Sequence, residues 1–125
     1  MNLTGKENTT IEIILCFNEA LNQGNVDGMM NLMSEDCIFE NTSPAPDGSR
    51  YQGKTSVRLF WEQFFKASQN PKIEMEEIFA CGDHAVMRWV YTWQDGTGTA
   101  FHIRGVDVYL IRDGRIAQKL SYVKG

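Results

Sequence analysis

The hydrophobic positions of the chain change period once, near Pro71. Before it, apolar residues recur at helical spacing. After it they alternate, as in a strand with two distinct faces. TTIEIILCFNEALNQGN predicts a first helix capped by Thr9 or Thr10, with Ile11, Ile14, Leu15, Asn18 and Leu21 on one face and Phe17 beside it. Gly24 predicts its end, because glycine takes the left-handed conformation without a Cβ clash. VDGMMNLMSED predicts a short second helix burying Met29, Met30, Leu32 and Met33. CIFEN predicts a first strand, closed by the stiff loop TSPAPDGSR. A third helix is expected from Lys54 or Thr55 to a stop at Asn70-Pro71, carrying the stripe Val57, Phe60, Trp61, Phe64 and Phe65. KIEMEEIFACG, HAVMRWVYTWQ, GTAFHIRGVDVYLIR and RIAQKLSYV then predict four consecutive strands, with turns at Gly82-Asp83, Asp95-Gly96 and Asp113-Gly114. Helices segregated from an antiparallel meander make an α+β fold, expected as one domain over residues 1–125 with its core in 9–124.

The later strands carry large residues on both faces. In the second of them Val86, Arg88, Val90 and Thr92 share one face, and Met87, Trp89, Tyr91 and Trp93 the other. In the third, Ile103, Gly105, Asp107, Tyr109 and Ile111 oppose His102, Arg104, Val106, Val108 and Leu110. A solvated sheet face is mostly polar. The row Trp89, Tyr91, Trp93 therefore predicts a face covered by a second copy of the chain, that is, a homodimer.

Composition narrows the classes. Hydrophobic residues at 42% and charged residues at 22% describe an ordinary globular chain, long enough at 125 residues to bury a core without a metal or disulfides. A net charge of −4 and scattered basic residues argue against nucleic acid. No apolar run reaches membrane-spanning length, and MNLTGKENTT does not read as a signal peptide. Cys16, Cys37 and Cys81, odd in number and far apart, suggest reduced thiols in the cytoplasm. With His84 and His102 as the only histidines, no zinc spacing appears, and no cofactor is expected.

Three segments carry a family likeness: ALNQGNVDGMMNLMSEDCIFEN, the helix opening YQGKTSVRLFWEQFF, and VDVYLIRDGRI. Together they resemble the nuclear transport factor 2-like superfamily, and within it the SnoaL-like polyketide-cyclase and ketosteroid-isomerase-like branch. The resemblance implies a cystatin-like cone, in which a strongly curved mixed sheet wraps three helices from the N-terminal half around an apolar pocket. Ketosteroid isomerases place an aspartate base at the end of the first strand, where this chain has Asn41. An amide cannot accept that proton. Their oxyanion-hole tyrosine matches Phe17, and their protonated aspartate matches Asp107. Limonene epoxide hydrolase, a cousin, uses a tyrosine, an asparagine, an arginine and two aspartates. Here Phe39, Asn41, Val90, Thr92 and Ser121 stand at those places, so the water-activating set is incomplete.

If Asp107 faces such a pocket, Arg88 is expected to face it too. Either the two form a buried ion pair that fixes register, or they form a site in which Arg88 holds an oxygen and Asp107 moves a proton. Asn41, Tyr51, Thr92, Tyr109, Lys119 and Ser121 are expected to add polar contacts, with Phe17, Phe39 and Trp61 as apolar ones. His102 is expected on the opposite sheet face, and His84 and Glu40 at the surface. The resulting expectation is a cytoplasmic homodimer binding a small, largely apolar molecule of polyketide or steroid type. Isomerisation, cyclisation or hydration without a cofactor is the chemistry such a pocket could support. The competing reading is a non-catalytic interaction module using the aromatic sheet face.

Overall fold

A computed structural model describes residues 5–124, with backbone alone at 69 and 70. Three helices, α1 (Gly5–Asn22), α2 (Val26–Asn31) and α3 (Lys54–Ala67), accompany six strands. The strands are β1 (Met33–Glu40), β2 (Arg50–Gln52), β3 (Gln69–Cys81), β4 (His84–Gln94), β5 (Ala100–Arg112) and β6 (Arg115–Val123). They form one open sheet in the order β2-β1-β6-β5-β4-β3. β1 runs parallel to β6 and every other pair is antiparallel, so the α+β sheet is mixed. No helix among the described residues is long and apolar enough to cross a membrane.

α1 begins at Gly5, before the expected threonine cap. A threonine hydroxyl can instead bond backbone from within a helix, and both threonines do so. Thr9 Oγ1 donates to Gly5 O at 2.9 Å, and the buried Thr10 Oγ1 donates to Gly82 O at 3.3 Å. The buried face is Thr10, Ile14, Phe17, Ala20 and Leu21, which puts Phe17 at its centre and leaves Leu15 exposed. Asn18 and Asn22 donate to Ile73 O at 3.1 and 2.9 Å, and Asn22 Oδ1 accepts from Ile73 N at 2.7 Å. These amides cover part of the outer edge of β3, which would otherwise present open backbone groups.

Two boundaries differ from the expected ones. α2 stops at Asn31, and Met33 opens β1 beside Ile116, because Ile116 N donates to Leu32 O at 2.8 Å. α3 stops at Ala67, and Pro71 lies inside β3, an edge strand where a missing N–H is tolerated. β2 was not signalled. Three residues hold it against β1, with Phe39 opposite Tyr51, and the Pro/Gly loop becomes a hairpin connection.

One irregularity sets the interior. Asp113 (φ 53°) and Gly114 (φ 74°) make a tight turn with Arg112 opposite Arg115, and Ile111 then faces Ile116. The next pair is Leu110 with Gln118, so Ala117 is an extra residue in β6. This bulge reverses the alternation of everything beyond it. Asp107 meets Ser121 and Tyr109 meets Lys119, all four on the helix-facing side.

Gly105 is packed from the same side. A Cβ there would collide with the backbone carbonyl oxygen of Tyr122 and fall 2.6 and 2.7 Å from ring carbons of Trp89, which lies opposite it. Gly105→Ala is therefore expected to cost about 1–3 kcal/mol of stability, the usual penalty for overpacking. Urea unfolding reads this directly, and an unchanged midpoint would show that neither the Tyr122 carbonyl nor the Trp89 ring lies on Gly105.

Candidate functional site

Inside the curve of the sheet, opposite α3, lies a cavity of about 400 Å³. Phe39 comes from β1, Phe60, Trp61 and Phe64 from α3, and Trp89 and Tyr91 from β4. Asn41, Thr42 and Ser43 line it from the loop after β1, and Ile73 from β3. Rings stack around this wall: Phe39 on Trp61 at 5.2 Å, Trp61 edge-on to Phe64 at 5.2 Å, and Phe64 against Tyr91 at 5.8 Å. The indole N–H groups of Trp61 and Trp89 are buried without a hydrogen-bond partner among the described residues.

Polar chemistry concentrates on the sheet side. Asp107 is 2% exposed and receives three donors. Ser121 Oγ donates to Oδ1 at 2.6 Å, while the Tyr109 hydroxyl and Lys119 Nζ both reach Oδ2 at 3.2 Å. Lys119 Nζ also donates to Ser121 Oγ at 3.1 Å. Burial pushes the Tyr109 phenol well above its ordinary range, and the Asp107 charge and the hydrogen bond to it push the same way. Tyr109 thus stays protonated and serves as a donor. Nζ of Lys119 stands 4.8 Å from the Phe39 ring centroid and 5.6 Å from that of Trp61, within cation–π reach of both.

Asp107, Lys119, Ser121, Asn41, Phe39 and Trp61 therefore meet at one cavity. Tyr109 lies beside it, hydrogen-bonded to Asp107. Phe17 is fully buried in the hydrophobic core, outside the cavity wall. Tyr51 stands behind the wall, stacked on Phe39 at 6.1 Å.

Arg88 and Thr92 are not in the site. Met87, not Arg88, lies opposite Asp107, and Arg88 lies opposite Val106. The five residues between Gln94 and Ala100 decide this, since one loop residue more or fewer would exchange the faces. Asp95 holds that loop, accepting from the N–H groups of Thr97 and Thr99 at 2.8 and 3.0 Å. Arg88 consequently sits on the outer sheet face, 3.5 and 3.4 Å from Glu76 and Glu77. Thr92 shares that outer face, opposite His102. The same parity turns the row Trp89, Tyr91, Trp93 to the helix-facing side, where Trp89 and Tyr91 line the cavity and Trp93 stacks on the exposed Phe101. Trp89 is 5% exposed, and Tyr91 packs on Phe64. Trp89 and Tyr91 are the site residues that strand alternation by itself misassigned. Phe60 and Phe64 stood in the predicted helix stripe but were not singled out as ligand contacts.

Asn41 is committed to its loop. Its Oδ1 accepts from Ser49 N at 2.8 Å, and its own N–H donates to Ser49 O at 3.0 Å. Gly48, at φ +72°, passes so close to the Asn41 carbonyl that no side chain would fit.

The fold is thus a curved sheet packed on three helices, with an aromatic-walled cavity and a buried Asp107–Lys119 pair between them. The SnoaL-like domain family matches residues 15–119, and the chain belongs to it. An NTF2-like protein of unknown function from Mesorhizobium loti is 32% identical, with 99% of this chain and 98% of that one aligned at a TM-score of 0.82. A putative polyketide cyclase from Xanthomonas campestris pv. campestris shares the fold at 17% identity, TM-score 0.82, over 96% and 93% of the two chains. TerC co-crystallised with polyporic acid does so at 17% identity, TM-score 0.81, over 93% and 92%. A comparison with curated proteins finds no match.

The buried pair sets a stability test. Lys119→Met strands the Asp107 charge and is expected to cost about 3–5 kcal/mol, whereas adding Asp107→Asn removes that charge and recovers part of the loss. Urea denaturation of both variants measures the coupling. A double variant less stable than Lys119→Met alone would mean that the pair carries no such linkage.

Proposed function

We propose that the cavity binds a small, flat, largely apolar molecule carrying one or two oxygen acceptors, of the polyketide or steroid kind. The observation that carries this is the Asp107–Lys119–Ser121 cluster at the base of an aromatic chamber. Buried polar groups normally have partners, and the indole N–H groups of Trp61 and Trp89, two residues of the chamber wall, have none among the described residues. TerC, which shares the fold, was co-crystallised with polyporic acid, and this agrees with a small-molecule ligand here. Lys119 takes the cationic place that the sequence suggested for Arg88. Asp107 and Lys119 are the groups positioned to move a proton, so cofactor-independent isomerisation or cyclisation is the chemistry within reach. Asn41, with its carbonyl oxygen bound to the loop, has no part as a base.

The test is quenching of tryptophan fluorescence by hydroxynaphthoquinone. Asp107→Asn combined with Lys119→Met is expected to weaken binding about tenfold to a hundredfold, the value of hydrogen bonds to charged groups. Arg88→Ala, on the outer face, should leave it unchanged. Equal affinity in the double variant, or no saturable quenching in the wild type, would sink the reading.

We propose further that the cytoplasmic chain pairs with a second copy through the outer sheet face rather than the aromatic row. Phe79, Val86, Val108 and Leu120 lie opposite one another across β3, β4, β5 and β6, and Phe79 is 49% exposed. Arg88 and Arg104 beside Glu76 and Glu77 supply both signs of charge, as a self-pairing surface requires. Light scattering should give a dimer that Phe79→Glu converts to monomer. A monomeric wild type would remove the proposal.

A further inference from the structure

Among the described residues, the Nζ of Lys119 finds fewer hydrogen-bond acceptors than it has donors. Its side chain is 4% exposed, and an ammonium carries three N–H groups. Asp107 Oδ2 and Ser121 Oγ accept two of them, at 3.2 and 3.1 Å. The other neighbours of Nζ among the described residues include the ring faces of Phe39 and Trp61, both of which line the cavity. A lysine that merely neutralised Asp107 would not need to line the ligand chamber. This one lines it, between two rings of the wall, with a proton acceptor 3.2 Å from its Nζ.

We infer that Lys119 is a nucleophile that condenses with aldehydes or ketones to form an imine, with Asp107 carrying the protons. The inference rests on the cavity being the ligand site. An ammonium is not nucleophilic, and a lysine acts as one after losing its proton in a desolvated site. Asp107 Oδ2 takes a proton from Nζ. The amine lone pair forms a bond to the carbonyl carbon, and the C=O π pair moves onto oxygen. That oxygen takes the proton held by Asp107, and the new nitrogen centre returns one of its own to the carboxylate. The hydroxyl of the resulting carbinolamine then leaves as water with the Asp107 proton, while the nitrogen lone pair closes the C=N bond. One ammonium and one carbonyl give one iminium and one water, and nothing is oxidised or reduced. The iminium withdraws electrons from the neighbouring carbon, which suits isomerisation or carbon–carbon rearrangement of a carbonyl substrate. The aromatic walls select a flat apolar body and limit the water that would hydrolyse the imine. Ser121, bonded to both Asp107 and Lys119, is a positioning residue.

The experiment treats the whole chain with naphthaldehyde and sodium cyanoborohydride at neutral pH. The hydride reduces an iminium to a stable secondary amine, which peptide mapping then locates. Lys119 should be labelled ahead of the exposed Lys6, Lys66 and Lys72, the reverse of the order that accessibility alone dictates. Asp107→Asn should slow labelling of Lys119 about a hundredfold and leave the exposed lysines unaffected. The wild-type order decides the matter even where that variant folds poorly. Saturable quenching of tryptophan fluorescence by naphthaldehyde with Lys119 unlabelled would overturn the imine and leave the ligand site standing. Neither quenching nor labelling of Lys119 would overturn both.

Discussion

A carboxylate has been placed almost wholly out of solvent, and much of the interior is arranged around that placement. Removing Asp107 from solvent costs several kcal/mol unless partners replace the lost hydration. Tyr109, Ser121 and Lys119 replace it, and each needs a particular position on the sheet. Tyr109 is two residues along the same strand and so shares the face automatically. Ser121 and Lys119 belong to β6, and the extra residue Ala117 brings them round. Without the bulge Lys119 and Ser121 would point outward, and the buried acid would be left with Tyr109 alone.

The aromatic wall has the complementary role. Phe39, Trp61, Phe64 and Tyr91 make the chamber apolar, which strengthens each electrostatic contact at its base. α3 supplies two of these rings, and its broad stripe is what lets one helix both pack on the sheet and face a cavity. Gly105 completes the arrangement from beneath by leaving room for the Trp89 ring. The site is thus a polar cluster of four side chains set into a hydrocarbon surface.

At the mouth, the loop from Asn41 to Ser49 trades chemistry for geometry. An aspartate at the end of β1 would offer a base to the cavity. The amide instead bonds the backbone of its own hairpin and fixes the path between β1 and β2. Any proton transfer therefore shifts from β1 to β5 and β6, where Asp107 and Lys119 stand. The two sheet faces divide accordingly, with one acid–base cluster inside and a mixed Arg/Glu surface around an apolar row outside.

Local pattern determined a great deal. The three helices, four long strands and their turns are legible because period and turn chemistry are properties of neighbouring residues, and so is the inward direction of Asp107 relative to Tyr109. β2 was not legible, since three residues acquire strand geometry only by pairing with β1. Nor was the partner of Asp107. Whether Arg88 or Met87 lies beside it depends on the parity of a five-residue loop held by Asp95, and whether Lys119 reaches it depends on a single bulge. Alternation has period two, so one residue in a loop or bulge inverts every assignment beyond it. The sequence by itself determined which side chains share a face within a strand; only the tertiary structure decided which faces meet, because register between strands is set by loops and bulges.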